Sequence, residues 1–178
     1  MFFNMFRGYS QADIQLLERV VFAEAQGEPY QGQVAVAAVI LNRLKSPDFP
    51  NTISQIIYQP SAFESVTNGS IWWKQPNESA KRAVQDAING SDPSGGALFF
   101  FNPRTATSPW VKNELVTIKT IGKHAFAIKK KKPPQRNGYT NNSYTYGNFN
   151  NGYNNGYNYD NYNNGYNNNG WQWERLPD

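Results

Sequence analysis

The amino-acid sequence predicts an α+β fold: a helix-dominated domain with a small antiparallel sheet, followed by a disordered C-terminal tail. Two observations predict the domain. Apolar residues recur at helical spacing in several segments before residue 90, and short apolar or aromatic runs bounded by glycine, proline and asparagine follow. A third observation, an abrupt change of composition after Lys129, predicts the tail. We therefore place the domain at residues 1–130 and the tail at residues 131–178.

The first predicted helix begins at Ser10, where Asp13 three residues later completes a capping box. It runs to about Ala25, and Gly27 and Pro29 end it. Its apolar side chains fall on one face of a helical wheel, which is typical of a helix packed against a core. That face carries Ile14, Leu17, Val20 and Val21.

A second helix is predicted over residues 31–44. It is apolar on nearly every side, as expected of a buried central helix. The remaining predicted elements are a short helix at 52–58, a helix at 77–89 between an asparagine cap and Gly90, a strand at 97–101 and a hairpin at 117–128 about Gly122.

The C-terminal segment has a composition that cannot form an aliphatic core. Residues 129–134 are four lysines and two prolines, and residues 136–170 are almost only Asn, Gly and Tyr, without Leu, Ile, Val or Met. Tracts of this kind are flexible and self-associate through tyrosine stacking and asparagine ladders. We interpret the tail as a tether or assembly segment, and a plain linker is the alternative.

Composition excludes several classes of chemistry. The chain has no cysteine and a single histidine, His124, which excludes a disulfide scaffold and a thiol nucleophile and disfavours a zinc site. We expect no metal and no cofactor. No apolar run approaches the roughly 18 residues of a membrane span, and the N-terminus lacks the features of a cleavable signal peptide. The net charge of +4 fits an ordinary basic protein or attraction to an anionic polymer, and no nucleic-acid motif is present.

Glu24 is a candidate functional residue because it falls on the core-facing side of the first helix, one turn after Val20 and Val21. A charge on that face costs several kcal/mol unless it is paired or neutral. An acid that protonates a glycosidic oxygen needs a raised pKa, and apolar neighbours raise it. The alternative is a carboxyl at a helix end that reaches solvent or pairs with Arg19, Arg43 or a backbone N–H.

Four ordered stretches carry recognisable motifs: VVFAEAQGEPYQGQVAVAAVILNR at 20–43, IYQPSAFESV at 57–66, GGALFFFNP at 95–103 and IGKHAF at 121–126. Together they resemble the spore-cortex-lytic cell-wall hydrolase family of the SleB/CwlJ type. The resemblance implies a lysozyme-like domain similar to lytic transglycosylases. It also implies cleavage of the β-1,4 bond between N-acetylmuramic acid and N-acetylglucosamine, with Glu24, in the motif A-E-A-x-G-E, as the catalytic residue.

The resemblance also implies a setting. Longer family members are exported and carry an added peptidoglycan-binding domain, whereas this chain looks more like the shorter coat-associated members. We therefore expect peptidoglycan glycan strands as the partner, a place at the spore coat/cortex boundary reached without a cleavable signal peptide, and a role in germination. The tail is expected to contact spore-coat proteins, and neither nucleic acid nor a membrane span is expected.

The expected mechanism is that of a lytic transglycosylase, in which Glu24 acts alone as acid and then base. A hydrolytic muramidase would need a second carboxylate roughly 5 to 9.5 Å away. Glu28 and Glu64 are the candidates, but the preferred role of Glu28 is to order the turn that contains it, and Glu64 can equally be a surface charge. A non-catalytic glycan-binding or coat structural protein is compatible with the same sequence, and a stem-peptide amidase is disfavoured by the scarcity of metal ligands.

Further residues are expected to bind the sugar chain. Aromatic rings stack on sugar faces, although most large aromatic residues pack in a core instead. An asparagine after the phenylalanine strand can bond an acetamido group, and the histidine is either a groove residue or a satisfied sheet residue. The predicted substrate-binding residues are Glu28, Tyr30, Tyr58, Gln59, Phe63, Glu64, Asn102 and His124, with Trp72, Trp73 and Trp110 as further stacking candidates.

Overall fold

The computed structural model describes residues 8–73 and 75–131, and the N-terminal heptapeptide and the predicted tail from residue 132 lie outside the described residues. Within them the chain is helix-rich with a three-stranded antiparallel sheet, which confirms the predicted α+β class. The boundary at residue 130 and the disorder of the tail stay predictions. No helix of the described part is long and apolar enough to cross a membrane.

Helix α1 (Gln11–Ala25) begins as predicted. The Ser10 hydroxyl accepts a hydrogen bond from the Asp13 N–H at 3.1 Å, and the Asp13 carboxylate accepts one from the Ser10 N–H at 3.2 Å, so both halves of the capping box are present. Its buried side is the one the wheel predicted, extended by one residue: Ile14, Leu17, Val20, Val21 and Ala25.

Helix α2 (Tyr30–Lys45) is the central element that its apolar sequence predicted. It begins directly after Pro29 and is buried from Gly32 to Leu41 without interruption. Helices α1, α3 (Ile53–Ile57) and α5 (Glu78–Ile88) pack around it. These helices form the main core, so the position of α1 is fixed by burial along most of its length.

The sheet has the strand order β1-β3-β2 and is antiparallel throughout. Its strands are β1 (Phe99–Phe101), β2 (Leu115–Ile121) and β3 (His124–Lys129). The β2–β3 hairpin turns about Gly122 as predicted, but it begins at Leu115 and so is longer than the sequence indicated. The predicted strand at 97–101 is shortened to three residues.

Three short elements were not predicted. They are α4 (Glu64–Thr67), a 3₁₀ turn (Ser70–Trp72) and α6 (Pro109–Glu114). Elements of three to six residues are too short to show a period of 3.6 in their apolar pattern, so tertiary contacts rather than propensity select them. Two of them, α4 and the 3₁₀ turn, pack against α1.

The hairpin turn is attached to the loop between α1 and α2. The Lys123 N–H donates to Glu28 Oε2 at 2.8 Å, and a Cβ added at Gly122 would collide with Glu28 and Pro29. Gly122 has φ of 59°, a left-handed conformation that glycine adopts without strain. This close approach brings the first residue of β3, His124, to the side of the fold that carries the end of α1.

Candidate active site

A cleft of about 700 Å³ opens beside the C-terminal turn of α1, and we call it the Glu24 cleft. Five parts of the chain form it: the end of α1, the end of α2, the segment 61–68, the end of β1 with the residues after it, and the start of β3. The described residues that line it are Glu24, Arg43, Ser61, Ala62, Phe63, Glu64, Thr67, Asn68, Phe100, Phe101, Asn102, Thr105 and His124.

Glu24 is half-buried on the last turn of α1, with its carboxyl group on the cleft wall. Its Oε1 accepts hydrogen bonds from the Ser65 hydroxyl at 2.6 Å and from the Ser65 N–H at 3.2 Å. Ser65 is itself buried in the first turn of α4. Both interpretations of the helical wheel therefore hold in part: the carboxyl group pairs with a backbone N–H, and it also faces a cleft.

Phe63 and Glu64, two predicted substrate-binding residues, lie side by side at the start of α4. Phe63 is 2% exposed and belongs to the main core, yet its ring also reaches the cleft wall, where it lies 6.2 Å from the Phe100 ring. Glu64 is exposed and lines the cleft with its charge accessible to solvent. The cleft thus contains a second carboxyl group beside Glu24.

Asn102 and His124, also predicted, line the cleft on the side of the sheet. Asn102 follows β1 directly, and its Oδ1 accepts a hydrogen bond from the Arg104 N–H at 3.0 Å. The imidazole of His124 packs beside the rings of Phe100 and Phe126, with centroid distances of 5.2 and 6.3 Å. Its Nδ1 is buried and has no hydrogen-bond partner among the described residues.

The surroundings of the His124 ring favour its neutral form. Burial lowers the pKa of the His124 imidazole, the nearby carboxylate of Glu28 opposes that shift, and Lys123 adds to it. A neutral imidazole with one unpaired nitrogen can accept or donate a single hydrogen bond, depending on its tautomer. His124 therefore lines the cleft with its ring, while the unpaired Nδ1 is shielded from solvent.

Glu28 and Tyr30 lie outside the described lining of the cleft. The carboxylate of Glu28 accepts the Lys123 N–H and so orders the turn, which is the second of its two expected roles. The hydroxyl of Tyr30 donates to Asp86 Oδ2 at 2.7 Å, across the helix pair α2 and α5. Burial and the bond to Asp86 raise the pKa of the Tyr30 hydroxyl, with burial the larger cause.

Tyr58 and Gln59, at the end of α3, also lie outside that lining. The Tyr58 side chain is 49% exposed, and Gln59 Oε1 is buried with no partner among the described residues. Of the tryptophans, Trp72 and Trp73 are exposed on the 3₁₀ turn and the residue after it, at 55% and 77%. Trp110 instead packs edge-on against Phe99, with ring centroids 5.4 Å apart.

Sequence reasoning missed two residues that shape the cleft most directly. Ser65 gives no signal, because nothing in the sequence indicates that it meets a glutamate 41 residues away. Arg43 does give a signal, since it is a charged residue near the end of an otherwise apolar helix, but the sequence suggests it only as a partner of Glu24. The structure buries it to 5% exposure and lines the cleft with it.

The polar groups that line the cleft are carboxyl, amide, hydroxyl, imidazole and guanidinium groups, and phenyl rings lie among them. No group of three or more His, Cys, Asp or Glu side chains within the described ranges is arranged to hold a metal ion. The fold and the site together define a helix-dominated α+β protein with a half-buried glutamate fixed on the wall of an open, partly aromatic cleft.

Comparison with known proteins agrees with this class. A family model described as Cell Wall Hydrolase matches residues 27–127. Spore cortex-lytic enzymes of Oceanobacillus iheyensis and Bacillus subtilis are 59% and 58% identical over 123 residues, which is 69% of this chain but 44% and 40% of theirs. Cell wall hydrolase CwlJ of Bacillus subtilis is 39% identical over 101 residues, covering 53% of this chain and 70% of CwlJ.

Solved structures give the same picture. The catalytic domain of Bacillus cereus SleB has a TM-score of 0.63 and 59% identity, and the match covers 68% of this chain and 93% of that one. The catalytic domain of the germination-specific lytic transglycosylase SleB from Bacillus anthracis has a TM-score of 0.64 and 58% identity. That match covers 68% of this chain and 98% of the SleB domain. This chain belongs to the cell wall hydrolase family of the SleB/CwlJ type. It matches less than half the length of the two cortex-lytic enzymes.

Proposed function

We propose that this protein cleaves peptidoglycan glycan strands at the β-1,4 bond between N-acetylmuramic acid and N-acetylglucosamine, as a lytic transglycosylase of the spore cortex. The single observation that carries the proposal is the Glu24 carboxyl group on the cleft wall, with Oε1 fixed by two hydrogen bonds from Ser65. An acid held in one orientation at an open cleft can meet the bridging oxygen of an extended polymer.

The relatives support the substrate and its setting. Two of them bear the name spore cortex-lytic enzyme, and a third is a cell wall hydrolase. The SleB domain of Bacillus anthracis, which is 58% identical, is described as a germination-specific lytic transglycosylase. We extend cortex cleavage and action in germination to this chain. A place at the boundary of spore coat and cortex and attachment to coat proteins through residues 131–178 are further parts of the proposal, and they rest on the composition of that segment.

In the proposed mechanism one carboxyl group does both proton transfers. Glu24 gives its proton to the glycosidic oxygen as the bond from muramoyl C1 to that oxygen breaks. The 6-hydroxyl of the same muramoyl unit then bonds to C1 and returns its proton to Glu24, which leaves a 1,6-anhydro end. No water is consumed, and Glu24 ends in the protonation state in which it began.

Hydrolysis is the second candidate, because Glu64 supplies another carboxyl group to the cleft. A muramidase would use it as nucleophile or as base for water. Glu28 is less suited to that role, because its carboxylate is bonded to the backbone of the β2–β3 turn. We favour the transglycosylase because the 58% identical SleB domain of Bacillus anthracis is described as a lytic transglycosylase.

The test is product analysis by mass spectrometry on purified cortex or wall glycan, with the parent and Glu24→Gln side by side. We expect 1,6-anhydro-muramic ends from the parent and a loss of about 10³-fold or more from Glu24→Gln, with unchanged glycan binding. Glu64→Gln should keep the anhydro product. Reducing muramic ends that disappear in Glu64→Gln would identify a muramidase. Freed stem peptides would identify an amidase. An intact polymer with retained binding would identify a non-catalytic glycan-binding protein.

A further inference from the structure

Arg43 is a buried cation on the wall of the Glu24 cleft, and the proposed mechanism does not use it. Its side chain is 5% exposed although it lines the cleft. The Nε–H donates to the Leu98 carbonyl oxygen at 2.7 Å, which fixes the plane of the guanidinium group. Nη1 is buried and has no hydrogen-bond partner among the described residues. A fixed guanidinium group therefore keeps unused N–H donors beside the cleft.

Three phenyl rings surround this guanidinium group. Its central carbon lies 5.1 Å from the ring centroid of Phe49, 5.3 Å from that of Phe63 and 5.6 Å from that of Phe99. Aromatic faces attract a cation but accept its hydrogen bonds poorly compared with oxygen. The rings thus hold the group in place without satisfying its donors.

No described carboxylate forms an ion pair with Arg43, since the ion pair found within residues 8–73 and 75–131 joins Lys81 and Glu78. Burial lowers the pKa of Arg43 to about 10, so the group remains charged at neutral pH. A buried charge with unpaired donors carries a free-energy cost. That cost is recovered when a ligand oxygen enters the cleft and accepts from the guanidinium group.

We propose that Arg43 binds a carboxyl oxygen of the lactyl group on the muramoyl unit, and so makes the cleft selective for muramoyl glycans over polymers of N-acetylglucosamine alone. This inference rests on the function proposed above. The lactyl group is the substituent that distinguishes the two sugars, and it combines a methyl group with a carboxyl oxygen, free or amide-linked. The cleft matches both parts, with the N–H donors of Arg43 beside the phenyl rings of Phe63 and Phe101.

The experiment measures binding in the Glu24→Gln background, where we expect cleavage to be too slow to alter the ligand during a titration. The two ligands are peptide-free strands of alternating N-acetylglucosamine and N-acetylmuramic acid, and chito-oligosaccharides of equal length, each titrated by calorimetry. Arg43→Met keeps an unbranched apolar stem among the rings but removes every donor. We expect it to weaken binding of the muramoyl strands at least tenfold and to leave chito-oligosaccharide binding unchanged.

Two further variants serve as controls. Arg82→Met removes another arginine that lies over an aromatic ring, 6.0 Å from the Tyr30 centroid and outside the described cleft lining, and it should bind both ligands like its parent. Arg43→Lys keeps the charge but loses the planar arrangement of donors, and it should retain part of the muramoyl affinity. If Arg43→Met does not fold, the lysine variant decides by the same comparison of ligands.

The outcomes separate this inference from the proposed function. Equal losses for both ligands, or no loss for either, overturn the role of Arg43 and leave the proposed function standing. A Glu24→Gln parent that binds neither ligand overturns the proposed function, and the role of Arg43 falls with it. A loss confined to the muramoyl strands supports both.

Discussion

At the scale of single residues, the properties of the cleft come from contacts between side chains far apart in the chain. Glu24 and Ser65 are separated by 41 positions. The 2.6 Å hydrogen bond that the Ser65 hydroxyl donates to Glu24 sets the direction of the carboxyl group. His124 packs against two phenyl rings that come from different strands. Ser65 therefore sets the orientation of the Glu24 carboxyl group, and the two phenyl rings set the surroundings of the His124 imidazole.

Removal of the Ser65 hydroxyl tests whether orientation of Glu24 limits the rate. Ser65→Ala deletes the 2.6 Å bond and leaves the longer one from the backbone N–H. We expect kcat to fall about tenfold, or about 1.4 kcal/mol, with KM nearly unchanged, because the bond positions a catalytic group without touching substrate. Steady-state kinetics on soluble glycan fragments measure this.

Ser79→Ala is the matched control, because it also deletes a hydrogen bond from a half-buried serine hydroxyl. The Ser79 hydroxyl donates to Gln33 Oε1 at 2.9 Å, and both residues lie outside the described cleft lining. Its kcat should equal that of the parent. An equal loss of kcat in both variants would assign the effect of Ser65→Ala to general loosening of the fold.

The pKa of His124 predicts how stability depends on pH. Burial lowers this pKa from the ordinary 6.5, so the unfolded chain binds a proton more readily than the folded one. The contribution of the neutral His124 ring to the free energy of unfolding is therefore complete above about pH 6.5. It is lost as the pH falls from there through the pKa of the folded state. Because the chain has one histidine, its NMR titration is unambiguous, and we expect a midpoint below 6.5.

Urea unfolding at several pH values between about 7.5 and 5 gives the second measurement. The parent should lose stability across this window, and His124→Asn should lose less, because it carries no imidazole to protonate. A histidine midpoint at or above 6.5, or equal pH dependence of the two proteins, would contradict the effect of burial.

At the scale of elements, the cleft depends on how α1, α4 and the hairpin are held together. Helix α1 is fixed along its buried face, and its last turn carries Glu24 to the edge of the core. The hairpin is fixed at its turn, where Gly122 fits against Glu28 and Pro29. Elements joined at such narrow contacts are sensitive to the addition of a single methyl group.

Gly122→Ala tests the contact between the hairpin and the α1–α2 loop. The alanine must keep φ near 59°, which costs an L residue roughly 1–2 kcal/mol. Its new Cβ also displaces the Glu28 carboxylate and the Pro29 ring. We expect the melting temperature to fall by several degrees and the His124 resonances to shift. Gly27→Ala is the matched control, because its Cβ meets no atom within 4 Å, and it should unfold like the parent or slightly later. Unchanged stability of Gly122→Ala would refute the contact.

At the scale of the whole molecule, the prediction concerns the division at residue 130. Among the described residues, the main core runs from Ile14 to Phe126. The sequence after residue 130 has no aliphatic residue until Leu176. A chain without aliphatic side chains cannot contribute an independent core. We therefore expect residues 1–130 to be a complete folding unit.

Deletion of residues 131–178 tests this division. The shortened chain should unfold cooperatively at the temperature of the full chain and cleave soluble glycan fragments at the same rate, while its retention on spores falls. Calorimetry, kinetics and spore-binding assays with the full chain in parallel measure the three quantities. Loss of cooperative unfolding would move the domain boundary beyond residue 130.

The sequence by itself determined the elements whose signals are local. The capping box at Ser10, the apolar stripe of α1, the continuous apolar character of α2 and the glycine turn of the hairpin all follow from residues within one or two turns of each other. It also singled out Glu24, because a charge on an apolar stripe is visible on a helical wheel.

Only the tertiary structure decided which residues share the cleft. It brought Ser65 to Glu24, lined the cleft with Arg43, engaged Glu28 at the hairpin turn and left Tyr30 and Tyr58 outside the described lining. The physical reason is that these contacts join residues from separate elements, whose relative positions are set by burial of the whole core rather than by local propensity. A pattern of residues along the chain specifies which face is buried, but not which distant side chain will meet it there.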